Sequence, residues 1–453
     1  MTTTTTKATT SKRTWVRWQI FSILWILVLL NFIDRATLSV AMPFIAEELE
    51  LTPEAQGVLL GSFFWTYLLF QIPGGWLLDR FGPRRIVGGA GVVWGFFQLI
   101  GGFATSGLFL TFTRLGLGAT EAPVFPAGAK LNANWLPAKE RARGATFVDA
   151  AGPFGAAVGG LIVALMIGAF GGWRMAFIVT GAITIVVAAL FALYLRDTPA
   201  QHKGVNEAEL AHIGSDEASV DTATGPLPRA ADYLRSRSFW GLMFGRLGWA
   251  TVWWGIISWT PSYLSTALDF DLAGLGWGTF LVYGMGVVGQ LVAGYTADRW
   301  RQATPRFNLV MKTIFGVSGL GTAIAIFSLP GATDGAVALA LLSTAVFFIN
   351  FGGLYWAIPA WLAPKKQVGT VGGVMNVASS GGGALAPIVM GFAIGASGGS
   401  FAGSFVFLGV CATVYLLGSM LIDFRKPMAH ARDRTGDAAA VDEAGAETIG
   451  SGR

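Results

Sequence analysis

Twelve stretches of this chain are apolar for long enough to cross a bilayer, at about 18–45, 56–78, 86–106, 107–130, 144–168, 173–195, 239–266, 274–297, 308–330, 335–362, 368–396 and 400–424. A hydrocarbon core takes about 20 apolar residues per helix. Backbone groups inside it must bond within their own segment, so each stretch is read as an α-helix. Short polar loops separate the stretches, with one exception. The segment 197–238 is long, rich in Ala, Glu, Ser and Asp, and contains no spanning run. It divides the spans six and six. The expected fold is therefore an all-α membrane protein whose twelve transmembrane helices form two six-helix bundles. The order is a tail at 1–17, a bundle at 18–196, a linker at 197–238, a bundle at 239–424 and a tail at 425–453.

Composition agrees with that reading. Hydrophobic residues make up 53% of the 453 and charged residues 13%, and the mean hydropathy is +0.58, values that a soluble domain of this length does not reach. The 62 glycines suit helices that must approach closely without a hydrophobic effect between them. Met1 to Thr14 has no small-residue cleavage site after a short apolar core, so the first span itself is the expected insertion signal. The lone Cys411 has no partner for a disulfide and reads as a small packing residue.

The charges are sorted by side. Lys and Arg collect in the N-terminal tail, at Arg80 to Arg85, Lys139 to Arg143, Arg196 to Arg237, Arg299 to Lys312, Lys365 to Lys366 and Arg425 to Arg434. All of these fall on one side if the spans alternate. The other side holds Glu47, Glu48, Glu50, Glu54, Asp269, Asp271 and Asp334, with Arg174 the basic exception. The positive-inside rule then puts both termini in the cytoplasm of a multi-pass plasma (inner) membrane protein. It also accounts for the net charge of +5 without nucleic acid. No Walker-type loop supports an ATP-driven pump, and no metal-spaced Cys/His cluster suggests a cofactor or a bound metal.

A few charges break the apolar runs. Asp34 and Arg35 are neighbours in the first span, and Arg114 and Glu121 lie seven residues apart in the fourth, on one helix face. A charge near the bilayer centre costs on the order of 2.5–3.5 kcal/mol on insertion scales and usually marks a solute or ion path. No histidine falls inside a span, so coupled protons would ride on carboxylates. Arginine at both basic positions favours a carboxylate ligand, because its planar fork grips two oxygens at once. The bland alternative is that Arg35 and Arg114 only neutralise Asp34 and Glu121. Asp149 and Arg246 lie about two turns from helix starts on the basic side, where they are read as reaching the interface or a loop. Trp249, Trp253, Trp254 and Trp259 are read as packing.

The two halves echo each other. Gly75-Trp-Leu-Leu-Asp79-Arg80-Phe-Gly82-Pro-Arg84-Arg85 follows the second span, and Gly294-Tyr-Thr-Ala-Asp298-Arg299-Trp-Arg301 follows the eighth. Here the chain resembles the major facilitator superfamily, whose loop signature is Gly-x-x-x-Asp-Arg-x-Gly-x-basic-basic. The first copy is complete, and the second lacks the glycine and the paired basic residues. The resemblance implies the superfamily's fold of pseudo-symmetric halves around a midplane site. Gly75, Asp79, Arg80, Gly82, Arg84, Arg85, Asp298 and Arg299 are candidate gating residues because they sit at the membrane edge.

The likeness narrows at Asn31-Phe-Ile-Asp34-Arg35-Ala-Thr-Leu-Ser-Val, at Arg114-Leu-Gly-Leu-Gly-Ala-Thr-Glu121-Ala-Pro-Val-Phe-Pro126 and at Trp173-Arg174-Met-Ala-Phe177. These stretches resemble the anion:cation symporter branch, with transporters for galactonate, glucarate, hexuronates, tartrate, phthalate and sialic acid. That resemblance implies protonation at Asp34 and Glu121 and a substrate carboxylate at Arg35 and Arg114. It also implies contacts from Tyr67, Trp356 and Asn376 to the substrate body. Phe32, where sugar-acid members often carry Tyr, and Gly152-Pro153, near a position that can hold Gln, depart from the pattern and keep less hydroxylated carboxylates in play. The expected function is alternating-access, proton-coupled symport of an organic anion, with no enzyme activity, no cofactor beyond the coupling proton, membrane lipids and the solute as partners, and a single chain as the unit. The alternatives are a proton-driven drug or metabolite exporter, suggested by Gly152-Pro153 with Gly159-Gly160, and a transporter-like membrane sensor.

Overall fold

The computed structural model describes residues 12–137, 140, 144, 147–214, 227–332, 334–364 and 367–429. The described residues are helical and loop, with no strand. The spans are Val16–Glu48, Pro53–Phe81, Pro83–Gly101, a fourth in two pieces (Gly107–Glu121 and Val124–Trp135), Phe147–Phe170, Arg174–Tyr194, Arg237–Ser262, Leu272–Ala303, Phe307–Ser328, a tenth begun by Gly335–Ile349, Val368–Ala396 and Ala402–Leu421.

Nine helices among the described residues are long and apolar enough to cross a membrane by themselves. The third, fourth and seventh spans fall short for identifiable reasons. The third opens on Arg84 and Arg85. The fourth is interrupted at Ala122 and Pro123, just after Glu121. The seventh carries Arg237 and Arg246. Such segments cross only within a bundle that surrounds their polar groups.

Packing repeats between the halves. In the first, span one lies on five and six, two on four, and three on four and six. In the second, seven lies on eleven and twelve, eight on ten, and nine on ten and twelve. Across the interface span two packs on eleven and eight packs on five. Each pairing has its counterpart six spans later, so the halves are related by a pseudo-two-fold axis.

The interface is shut at one end. Near the acidic loops, a methyl on Gly57 would lie 2.5 Å from the Pro387 carbonyl, and one on Gly391 would lie 2.5 Å from the Pro53 carbonyl. Spans five and eight close the same way, with Gly276 against Ala164. Toward the basic loops the interface parts: methyls on Gly75, Gly294, Gly372 or Gly373 would meet nothing within 4 Å. The structure is closed on the acidic side and open on the basic side.

The linker contributes two short helices, Glu207–Gly214 and Ala230–Leu234. Buried Glu209 accepts from the backbone N–H groups of Val16 and Arg17 at 3.4 and 3.3 Å and from Arg17 Nη1 at 2.8 Å. The carboxylate thereby serves the free N–H groups at the start of the first span. At the other end, Tyr233 donates to Gln367 Oε1 at 2.8 Å, beside the eleventh span. Each linker helix is fastened to a different half.

Candidate functional site

Consecutive residues of a helix point about 100° apart, so Asp34 and Arg35 diverge. Arg35 turns to the interface between the halves. Its guanidinium lies 4.3 Å from the Phe63 ring centroid, 5.3 Å from Phe32 and from Tyr67, and 5.2 Å from Trp254. Its Nη2 and Nε donate to Glu121 Oε2 at 2.9 and 3.2 Å. Asp34 turns the other way, into the N-terminal half. It is fully buried, and its Oδ2 accepts from Trp94 Nε1 at 2.9 Å and Thr184 Oγ1 at 3.1 Å. Arg114 shares the face of the fourth span with Glu121 but serves a different partner. Its Nη1 donates to the Asp34 carbonyl at 3.3 Å, and its guanidinium lies 5.0 Å from the Phe177 ring centroid.

A cavity containing about 780 Å³ of empty space, open solvent at its mouth included, lies between the halves. Arg35, Tyr67, Trp356 and Asn376, four of the five residues assigned to the substrate from sequence, line it. Arg114 does not, nor do Asp34 and Glu121. Those three form the layer behind Arg35.

The opposite wall follows from helix geometry. After Ile349 the tenth span tightens into a 3-10 helix, Asn350–Ala357. With three residues per turn, every third side chain eclipses. Asn350, Gly353 and Trp356 accordingly line the cavity together. From the seventh span come Arg246, Trp249, Trp253 and Trp254. The Trp249 indole donates to the Ile349 carbonyl at 2.7 Å, which fixes its plane. Arg246 rests 4.0 Å from the Trp249 ring centroid and 4.7 Å from that of Trp356. Trp254 reaches over to the other half, stacked on Phe32 with centroids 6.1 Å apart.

Among the described residues, two side-chain hydrogen bonds cross between the halves at the cavity. Gln71 in span two donates to Ser380 Oγ at 3.4 Å, and Gln290 in span eight donates to Asp149 Oδ2 at 3.3 Å. The two glutamines stand four residues before Gly75 and Gly294, so the sequence echo runs on as Gln-x-x-x-Gly-x-x-x-Asp-Arg. Read from its glycine, the motif had missed them. Arg246 and Asp149, taken from sequence as interfacial, both line the cavity, as do three of the four tryptophans of span seven taken as packing.

Of the gating candidates, Gly82 has φ +80°, a left-handed conformation that glycine adopts without strain. A methyl there would lie 2.5 Å from Asp197 Oδ1, which instead accepts from the Arg84 backbone N–H at 2.9 Å. Arg84 Nε donates to the Ala192 carbonyl at 2.9 Å. Arg84 thus ties the turn to the sixth span of its own half. Arg80 lies 5.4 Å from the Trp76 and Phe81 rings, and Arg85 and Arg299 are exposed. The side chains of Asp79 and Asp298 lie outside the described part of the structure.

Residues 24–387 match the profile of the Major Facilitator Superfamily. A Cupriavidus necator protein named "Probable sulfoacetate transporter SauU" is 32% identical over 411 residues, covering 90% of this chain and 94% of that one. An Escherichia coli protein named "Probable L-galactonate transporter" is 33% identical over 377 residues, 82% of each chain. The E. coli protein named "Probable galactarate/D-glucarate transporter GarP" is 31% identical, covering 88% of this chain and 93% of that one. Among solved structures, a bacterial homologue of the human lysosomal transporter Spinster, inward-facing and unoccupied, superposes with a TM-score of 0.75 at 20% identity, covering 91% and 98% of the two chains. A D-xylose-proton symporter gives 0.70 at 17% identity, with the same coverage.

Proposed function

Since the chain belongs to the Major Facilitator Superfamily and is a transporter, not an enzyme, we propose that it moves an organic acid anion together with protons by alternating access. The carrying observation is the Arg35–Glu121 pair at the cavity wall. A carboxylate entering the cavity competes with Glu121 for the same guanidinium fork. If the cargo takes Arg35, Glu121 is left as a buried carboxylate without its cation, an arrangement that costs several kcal/mol unless it is neutralised. Taking up a proton removes that cost. Anion and proton then load together, which is symport. Asp34, in the same layer and bonded to Trp94 and Thr184, is the second proton carrier in this reading, with Arg114 as a positioning residue on its backbone. Relatives named for sulfoacetate, galactarate and galactonate support an organic acid as cargo.

Tyr67, Trp356 and Asn376 face the body of the cargo. With the basic loops in the cytoplasm of the plasma membrane, the closed acidic end is the outer gate and the cavity opens inward. The loop of Gly75 to Arg85, with Asp298 and Arg299, then belongs to an inner gate that is parted in this state. The test is uptake into proteoliposomes. Glu121→Gln and Asp34→Asn should each lose accumulation driven by a pH gradient, while at least one retains exchange of cargo for cargo. Normal uphill accumulation in both variants would sink the carboxylate mechanism.

A further inference from the structure

Asp34 and Glu121 take their hydrogen bonds from Trp94, Thr184 and Arg35, all in the N-terminal half. When the halves rock as bodies those partners travel with them, so rocking by itself leaves the hold on each carboxylate unchanged. A group that links protons to the state of the transporter must bind them differently in the two states. Asp149, at the start of the fifth span, is placed to do so. Among the described residues it is the one carboxylate that lines the cavity, and its partners belong to the other half. Gln290 of span eight donates to its Oδ2 at 3.3 Å, and Arg246 of span seven is the cation whose charge reaches it.

Spans five and eight run antiparallel along one seam, with Gly276 against Ala164 and Gly160 against Thr279. Asp149 and Gln290 follow on that seam, one turn before Gly294, where the interface has parted. The other ionisable groups on the packed elements are engaged elsewhere. On span one, Arg35 holds Glu121 and Arg17 holds Glu140 and Glu209. On span six, Arg174 meets Glu48 and Tyr194 donates to Gln19. On span eight, Tyr283 donates to the Ile257 carbonyl, and Asp298, Arg299 and Arg301 come two or more turns after Gln290.

We propose that Asp149 is a third proton carrier, the one whose proton is gained or lost according to which side the cavity faces. With the cavity open toward the basic loops, Gln290 and Arg246 answer the ionised carboxylate, and its proton leaves to water in the mouth. When the halves rock the other way both partners move relative to it, and a carboxylate near a seat for anions is then better neutral. This rests on the reading of the chain as a proton-coupled transporter, but not on Glu121 or Asp34 as carriers.

The experiment follows the two states without cargo. Spin labels on single cysteines in the acidic-side loops before span two and after span eleven, with Cys411 replaced, report the distance across the closed seam of the full-length transporter in lipid. A tenfold difference in proton affinity between the states lets pH move their ratio by up to about tenfold. Between about pH 8 and about pH 5, acid should lower the share of the state open on the basic side by about threefold or more. In Asp149→Asn the ratio should stay within about 1.5-fold over that range. Gln290→Leu, which removes the donor and leaves the carboxylate, should cut the response to about half or less. Should Asp149→Asn not fold, Gln290→Leu decides. An unchanged response in the variant that decides overturns the proposal, as does a parent ratio that ignores pH or moves the other way. Uphill uptake keeps the two readings apart. Normal accumulation in Glu121→Gln and Asp34→Asn, with a flat Asp149→Asn, removes those two carriers and supports this one; the converse removes Asp149 alone.

Discussion

In the N-terminal half the ionisable groups near the cavity are bonded mainly within their own half, with Asp149, bonded across to Gln290, the exception. Arg35 holds Glu121, Arg114 holds the backbone of Asp34, and Asp34 is bonded to Trp94 and Thr184. In the C-terminal half the corresponding wall is aromatic and amide, and Arg246, the one buried arginine among its described residues, rests on rings with no carboxylate of the described residues bonded to it. The frames are alike and the furnishings are not. A wall whose charges are matched internally can exchange an internal partner for a cargo group, and that exchange is where proton coupling can arise. A wall with an unmatched cation can only add a contact. In the proposed mechanism the first half carries both the main anion seat and the coupling carboxylates, and the second half adds contacts to the body of the cargo.

The comparison breaks most visibly at Arg35. Arg35→Ala should lower cargo affinity by roughly a hundredfold or more, the size expected when a charge-assisted bidentate contact is lost, and lysine should recover only part of it. Arg114→Ala should cost roughly tenfold or less, because Arg114 acts through the Asp34 backbone and not on the cavity. Binding measured on folded protein separates the two. Equal losses would mean that Arg114 reaches the cargo, and that the layer behind the wall is rearranged in the loaded state.

A smaller effect is expected where the halves meet. Gly57→Leu drives a side chain into the Pro387 backbone, and overpacking of that kind costs roughly 1–3 kcal/mol. About 1.4 kcal/mol changes a two-state ratio tenfold, so the population should move toward opening on the acidic side. Gly294→Leu, at a position with open space, should leave the ratio near that of the parent. Labelling of single cysteines placed on either side of the cavity, with Cys411 replaced, reads both. A shift in the second variant as large as in the first would undo the assignment of the closed end.

The smallest effect lies at the acidic-side rim of the N-terminal half. Arg174 Nη1 meets Glu48 Oε1 at 2.6 Å, and the Trp173 indole donates to Glu48 Oε2 at 2.7 Å. Those hydrogen bonds hold the Glu48 carboxyl below the usual carboxylate range. A lowered folded-state value contributes stability above the unfolded value, and this is lost as pH falls through the folded one. Glu48→Gln should therefore lower the melting temperature slightly at neutral pH and make no difference in strong acid. The pair is exposed, so the effect stays within about 1 kcal/mol. A melting difference that persists in strong acid would assign the effect to packing.

The spans were legible because twenty apolar residues in a row are a local fact, and so were Asp34, Arg35 and Glu121, because a charge inside such a run stands out. What could not be read was which helix face meets the other half. Periodicity puts Arg114 and Glu121 on one face, but whether that face lines a cavity or a layer behind it depends on the neighbouring helices. Arg246 and Asp149 lie close enough to helix ends for an interfacial reading, and only the crossing of spans five and eight brings Asp149 to Gln290. The row of Asn350, Gly353 and Trp356 depends on a switch from an α-helix to a 3-10 helix that the apolar pattern does not announce.

The glycine seam at the closed end has a consequence for the entropy of the transport cycle. When an interface of long side chains shuts, each chain gives up rotamers, about 0.5–1 kcal/mol for a leucine or isoleucine, and that loss returns at every closure. Gly57, Gly276 and Gly391 have no side-chain torsions to give up. The seam can form and part without freezing anything at those positions, which leaves the balance between the two states more responsive to the cargo.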